Sequence, residues 1–191
     1  MPSVKPDSVP VWDLFIRIFH WSLVTLFSIA YILEDDWITL HSYAGYAISI
    51  LIVLRLIWGV IGSRYARFSQ FVTGPEKIKA YLRSLLSYRP QHFTGHNPAG
   101  GAMVILLLIS LTLLCVSGIV TLAGEGEGPL AGYATAVWMS DWMEDLHELL
   151  ANLCLGLIFL HVAGVLVSSL LHKENLIRAM ITGKKQPPPS T

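Results

Sequence analysis

Residues 146–171 read LHELLANLCLGLIFLHVAGVLVSSLL, an apolar run broken only by His147, Glu148, Asn152, His161 and the serines near its end. It is longer than the ~20 residues a helix needs to cross a hydrocarbon layer of ~30 Å. Three more runs approach or exceed that length, at about 14–33, 42–62 and 101–122. The chain of 191 residues is 53% hydrophobic and only 14% charged, which departs from soluble composition in the direction of a membrane protein. The expected fold is an all-α integral membrane protein, a four-helix transmembrane bundle forming a single domain over residues 1–182, with a disordered cytoplasmic tail at 183–191.

The formal net charge of zero hides a segregation. All 13 Lys and Arg residues fall in three places. Lys5 and Arg17 come first; Arg55, Arg64, Arg67, Lys77, Lys79, Arg83 and Arg89 surround the connection between the second and third runs; Lys173, Arg178, Lys184 and Lys185 close the chain. The positive-inside rule then puts both termini and the middle loop in the cytoplasm. The opposite face carries acids: Glu34, Asp35 and Asp36 in one loop, Glu125, Glu127, Asp141, Glu144 and Asp145 in the other. Its loop also holds Tyr133, Trp138, Met139, Trp142 and Met143, as an interfacial segment would. No small-x-small cleavage site precedes the acidic triplet, so the first helix reads as an anchor, not a signal peptide. Cys115 and Cys154 stand singly in apolar helices and read as core residues.

After Gly74-Pro75, apolar Ile78, Tyr81, Leu82, Leu85 and Leu86 alternate with Lys77, Lys79 and Arg83 at helical spacing. This predicts a short amphipathic cytoplasmic helix, lying on the membrane surface or packed on protein.

Four histidines stand at or inside the apolar runs: His20, His41, His147 and His161. The fourteen residues from His147 to His161 are ~3.9 turns and ~21 Å of helix, so the two share a face at two depths. The charge-derived topology puts His41 at the outer depth and His20 at the inner one, which pairs His41 with His147 and His20 with His161. Two facing imidazoles at one depth suit a six-coordinate haem iron, and filling both axial positions favours electron transfer over oxygen binding. Gly45 and Gly164, within a turn of His41 and His161, would let a flat ring approach the helix. Structural histidines bonded across helices, or a zinc or proton site, are the competing readings. Arg55, fourteen residues after His41, is a candidate counter-charge for a haem propionate, and Arg17 a second; snorkelling to headgroups is the alternative for each.

The segments Val11-Trp12-Asp13 to Phe19-His20-Trp21, Leu40-His41 through Gly45-Tyr46 to Arg55-Leu56-Ile57-Trp58-Gly59, Gly95-His96-Asn97-Pro98, and Leu146-His147-Glu148 to His161 resemble the bacterial cytochrome b561 family. That family includes the b-type cytochrome subunits of nickel-iron hydrogenases and formate dehydrogenases. The likeness runs over residues 11–182 and takes in the ending His172-Lys173-Glu174-Asn175 to Arg178-Ala179-Met180. It implies two non-covalent haem b groups, one on His20 and His161 at the cytoplasmic side and one on His41 and His147 at the periplasmic side. It also implies a quinone as substrate, with its site near the cytoplasmic haem. His96 and Asn97 are the candidate quinone contacts, against a plain loop histidine and an Asn-Pro turn; His92 and His172 are expected in solvent or among headgroups.

The function expected is electron transfer between the quinone pool and a periplasmic partner, a c-type cytochrome or a hydrogenase or dehydrogenase subunit, which the acidic face would steer. A superoxide:ubiquinone oxidoreductase is an alternative that the same acidic face opposes, because superoxide is an anion. A membrane anchor without redox role is the other. No nucleic-acid partner is expected, and small residues on the helices permit a homodimer.

Overall fold

The structure is a computed structural model, and it describes residues 8–33, 37–87, 91–132 and 140–185, with the side chains of residues 140 and 141 left aside. Lys5, Glu34, Asp35, Asp36, Arg89, Tyr133, Trp138, Met139 and the Asp141 side chain, all used above, lie outside what is described, as does the tail from residue 186.

The described elements run β1 (Val9–Pro10), α1 (Leu14–Ile32), α2 (Ile38–Ile61), α3 (Phe68–Phe71), α4 (Pro75–Leu86), α5 (Pro98–Gly124), α6 (Ser140–His172), α7 (Leu176–Thr182) and β2 (Lys184–Lys185). Helices α1, α2, α5 and α6 are long and apolar enough to cross a membrane. The chain is a multi-pass membrane protein built on these four helices. Many of their large apolar side chains are exposed, among them Ile50, Leu113, Phe159 and Leu170. Lipid solvates such surfaces, so they carry no hydrophobic penalty there.

Three of the expected spans gain residues at their ends. Helix α2 starts at Ile38 and not 42, α5 runs over Pro98–Gly124 and not 101–122, and α6 starts at Ser140 and not 146. Hydropathy marks where lipid begins, whereas a helix continues as long as its own hydrogen bonds and a cap allow. Asn97 caps α5 by accepting the Gly100 N–H at 2.7 Å, with Pro98 in the first helical position, where its missing N–H costs nothing. Asp13 caps α1 in the same way, accepting the Ile16 N–H at 2.8 Å.

The chain divides into two compact units, each taking a part of every long helix. One comprises the described residues of 1–20, 55–105 and 159–191, the other those of 21–54 and 106–158. The second unit is centred on Phe27, Ile48, Ile52, Leu111 and Cys154, so α1, α2, α5 and α6 all contribute to one core. In the first unit Tyr81 of α4 is fully buried, and its hydroxyl lies 3.4 Å from Ser168 Oγ of α6.

Residues 183–185, expected to belong to the tail, are instead part of the fold. Gly183, left-handed at φ +79°, caps α7, and Lys184–Lys185 then pair antiparallel with Val9–Pro10. The Gly183 carbonyl also accepts the N–H groups of Val11 and Trp12, at 2.8 and 3.0 Å. Lys185 is buried, 3.4 Å from Glu174 and donating to the Phe93 carbonyl at 3.2 Å. A two-residue strand has no hydrophobic period, so composition alone assigns this stretch to the tail.

Candidate functional site

In the unit formed by residues 21–54 and 106–158, His41 and His147 face each other with ring centroids 5.9 Å apart and planes at 76°. His41 Nδ1 lies 2.9 Å from the Ala30 carbonyl. A carbonyl only accepts, so this bond keeps the proton on Nδ1 and leaves the Nε2 lone pair free. His147 Nδ1 is 3.0 Å from both the Leu114 carbonyl and Ser117 Oγ, and Ser117 itself donates to that carbonyl at 2.9 Å. The same tautomer follows, so both rings can offer Nε2 to one acceptor. Beside them is a cavity of about 90 Å³, lined by Tyr31, Ser42, Gly45, Gly118 and Ala151 as well as the two rings. A Cβ at Gly45 would meet nothing within 4 Å.

The other unit holds His20 and His161, with ring centroids 6.5 Å apart and planes at 50°. Gly164, one turn past His161, likewise has open space where a side chain would be. Arg55 is 3% exposed; its Nη2 donates to the Ala66 carbonyl at 3.1 Å and its guanidinium lies 4.9 Å over the Phe68 ring. Its Nη1 is buried with no hydrogen-bond partner among the described residues, and the same holds for Arg17 Nε. Arg17 packs on Gly183, its Nη1 3.2 Å from where a Cβ would stand. A buried guanidinium at Arg55 and a half-buried one at Arg17, each with a buried donor to spare, are sites at which an anionic group would be stabilised.

His96 is set between Trp12 and Phe71, at centroid distances of 4.6 and 4.5 Å, and its buried Nδ1 finds no partner among the described residues. Burial, then the nearby charge of Arg55, pushes its pKa down to about 3, so the ring is neutral at physiological pH. Asn97 spends its carbonyl oxygen on the α5 cap, and its amide lies 3.5 Å from Ser168 Oγ. The Asn-Pro turn therefore accounts for Asn97, whereas His96 keeps an unused polar atom. His92 and His172, expected in solvent or among headgroups, stand ring to ring at 5.8 Å, with His92 Nε2 4.0 Å from Glu174 Oε2 and the His172 nitrogens near the Ser168 and Gln91 carbonyls. The acid that attracts His92 is buried with Lys185, a tertiary placement that local composition does not encode.

Two residues beside the histidines escape sequence reading. Ser117 bonds His147, and a Cβ at the following residue, Gly118, would fall 2.8 Å from His147 Cε1. Neither differs in the sequence from any small residue in an apolar helix. Among the described residues no three His, Cys, Asp or Glu side chains gather to hold a metal ion, which leaves the zinc reading without a ligand set.

The family described as prokaryotic cytochrome b561 matches residues 11–183. A probable Ni/Fe-hydrogenase B-type cytochrome subunit of Rhizobium leguminosarum bv. viciae is 22% identical over 96% of this chain and 91% of its own length. A protein of the same description from Azotobacter chroococcum mcd 1 is 24% identical over 94% of this chain and 89% of its own length. No solved structure matches the chain.

Proposed function

We propose that this chain, which belongs to the prokaryotic cytochrome b561 family, carries electrons across the inner membrane between quinone and a redox partner at the periplasmic face, through two haem b groups. One is held by His20 and His161, the other by His41 and His147. The observation that carries this reading is the pair of imidazole separations, 6.5 and 5.9 Å. Metal–nitrogen bonds of about 2 Å on both faces of one iron set two ring centroids roughly 6–6.5 Å apart. The free Nε2 atoms of His41 and His147 and the space at Gly45 and Gly164 fit a flat macrocycle with two nitrogen ligands. Bound there, haem would supply a one-electron couple.

The chain's own residues do the rest. The carbonyls of Ala30 and Leu114 fix the ring orientation and tautomer, which raises ligand basicity. Arg55 and Arg17 offer donors to propionates, and neutral His96 can donate to or accept from a quinone oxygen. Acidic Glu125, Glu127, Glu144 and Asp145 belong to the outer face, where they favour a partner with a basic docking surface, either a c-type cytochrome or a hydrogenase-type subunit of the kind named in the relatives. Both termini are cytoplasmic by the distribution of Lys and Arg.

Haem stoichiometry and the reduced α-band of purified protein test the proposal. Two haems per chain are expected, with one lost on His20→Ala or His161→Ala and the other on His41→Ala or His147→Ala. A protein that folds in its membrane without any haem spectrum would leave only an anchor role.

A further inference from the structure

Helix α4 presents two different apolar faces. Ile78, Tyr81 and Leu85, spaced i, i+3, i+7, turn toward the protein, with Tyr81 1% exposed. Lys79, Leu82, Arg83 and Leu86, spaced i, i+3, i+4, i+7, share the other face, and there Leu82 is 46% and Leu86 81% exposed. Leu82, between the two cations, and Leu86, one turn beyond, leave much of their surface uncovered by the described residues. Exposed apolar surface recurs just before it in the sequence, at Val60 and Ile61 ending α2 and at Val72. Because α2 and α5 both cross the membrane, the 62–97 connection begins and ends at a bilayer surface.

We propose that the Lys79–Leu82–Arg83–Leu86 face of α4 docks on the anionic headgroup region of the membrane in which the chain is embedded. The leucines enter the acyl boundary, and Lys79 and Arg83 lay their stems along it while their heads meet lipid phosphates. Glu76 lies 3.4 Å from Lys79 and offsets part of that charge, so Arg83 is the stronger headgroup contact. A protein partner would need its own acidic, apolar groove, whereas the membrane is already there, anionic and apolar at the right level. Tyr81 holds the helix from the other side through Ser168.

A nitroxide placed by Leu86→Cys in nanodiscs tests this, with the unsubstituted protein as labelling blank because Cys115 and Cys154 sit half-buried and buried in helices. In bilayers containing phosphatidylglycerol, dissolved oxygen should relax the label more than a water-soluble nickel chelate does. Lys79→Gln with Arg83→Gln, or a pure phosphatidylcholine bilayer, should shift the label toward water by roughly threefold in that ratio. A label exposed to water in every bilayer, or equally protected whatever the lipid charge, overturns the proposal, as does protection that appears only with an added soluble protein. Should the labelled variant fail to assemble, the phosphatidylglycerol retained by purified parent and K79Q/R83Q proteins decides: depletion in the variant supports docking, and equal retention overturns it.

Discussion

Gly118 of α5 packs against the His147 ring, closely enough that a Cβ on Gly118 would lie 2.8 Å from Cε1 and 3.1 Å from Nδ1. The ring has little freedom to withdraw, because Nδ1 is tied to Leu114 and Ser117 at 3.0 Å. Gly118→Ala should therefore weaken haem retention at His41 and His147 by about tenfold or more and leave the other haem in place. Helix propensity alone predicts the opposite sign for stability, since alanine is favoured over glycine by about 1 kcal/mol in a helix. A haem-to-protein ratio falling from two to one after dialysis, without loss of helicity, is the expected result; an unchanged ratio would show that the ring can move.

Ser117→Ala tests the same ring from its hydrogen bonds. The Leu114 carbonyl still holds Nδ1, so the ring stays in place but is less firmly oriented. Haem should bind with an affinity reduced by up to about tenfold, less than for Gly118→Ala. Competition for haem by apomyoglobin gives the comparison.

Asp13 ties the start of α1 to the end of α2 and the turn after it: Oδ1 accepts from Ile16 N–H, while Oδ2 accepts from Trp58 Nε1 at 3.0 Å and from Ser63 Oγ. Burial acts to raise its pKa, but these hydrogen bonds outweigh that and hold it below the usual carboxylate value of 3.8. The sign follows: a depressed acid adds stability that is complete above the unfolded pKa and is lost as pH falls through the lower folded one, so the loss belongs below about pH 4. Asp13→Ala should cost about 1–2 kcal/mol as a lost cap. Asp13→Asn should keep the cap and flatten the acid limb of a thermal-unfolding series in detergent.

The four spans and the pairing of four histidines are legible because each depends on a repeating or long-range regularity: an apolar run of membrane length, and a fourteen-residue interval close to a whole number of turns. What is not legible depends on single contacts. Gly118 and Gly156 are both glycines in apolar helices, yet a Cβ at Gly118 meets His147 and one at Gly156 meets nothing within 4 Å. Lys185 reads as one more tail cation, and only the pairing of its strand with Val9–Pro10 explains its burial against Glu174. Asn97 reads first as an Asn-Pro turn and second as a ligand contact, and the 2.7 Å bond from Gly100 N–H to its Oδ1 is the turn's own cap.

The junction of the two ends of the chain should be sensitive to small changes. A Cβ at Gly183 would be strained at φ +79° and would fall 2.6 Å from the Trp12 carbonyl. Gly183→Ala should cost at least about 1–2 kcal/mol. Lys185→Ala removes the buried cation 3.4 Å from Glu174 and should lower stability. Both should speed protease cleavage near residues 173–185 in detergent-solubilised protein, and Lys184→Ala, on an exposed side chain of the same strand, should not.

Arg55 allows a prediction on redox properties. Its buried guanidinium has one nitrogen on the Ala66 carbonyl and another with no partner among the described residues, in the unit that holds His20 and His161. Reduced haem carries one positive charge less than oxidised haem, so a fixed cation nearby favours the reduced form. Arg55→Gln should therefore lower the midpoint potential of the His20/His161 haem and loosen its retention, with a smaller effect on the other haem. Arg55→Lys should restore part of the potential, because the charge returns, but less of the retention, because an ammonium lacks the planar fork that grips a carboxylate in two places. A spectroscopic redox titration of the parent and the two variants separates these outcomes. Equal potentials in the parent and the Arg55→Gln variant would show that the guanidinium serves the Ala66 turn and the Phe68 ring alone.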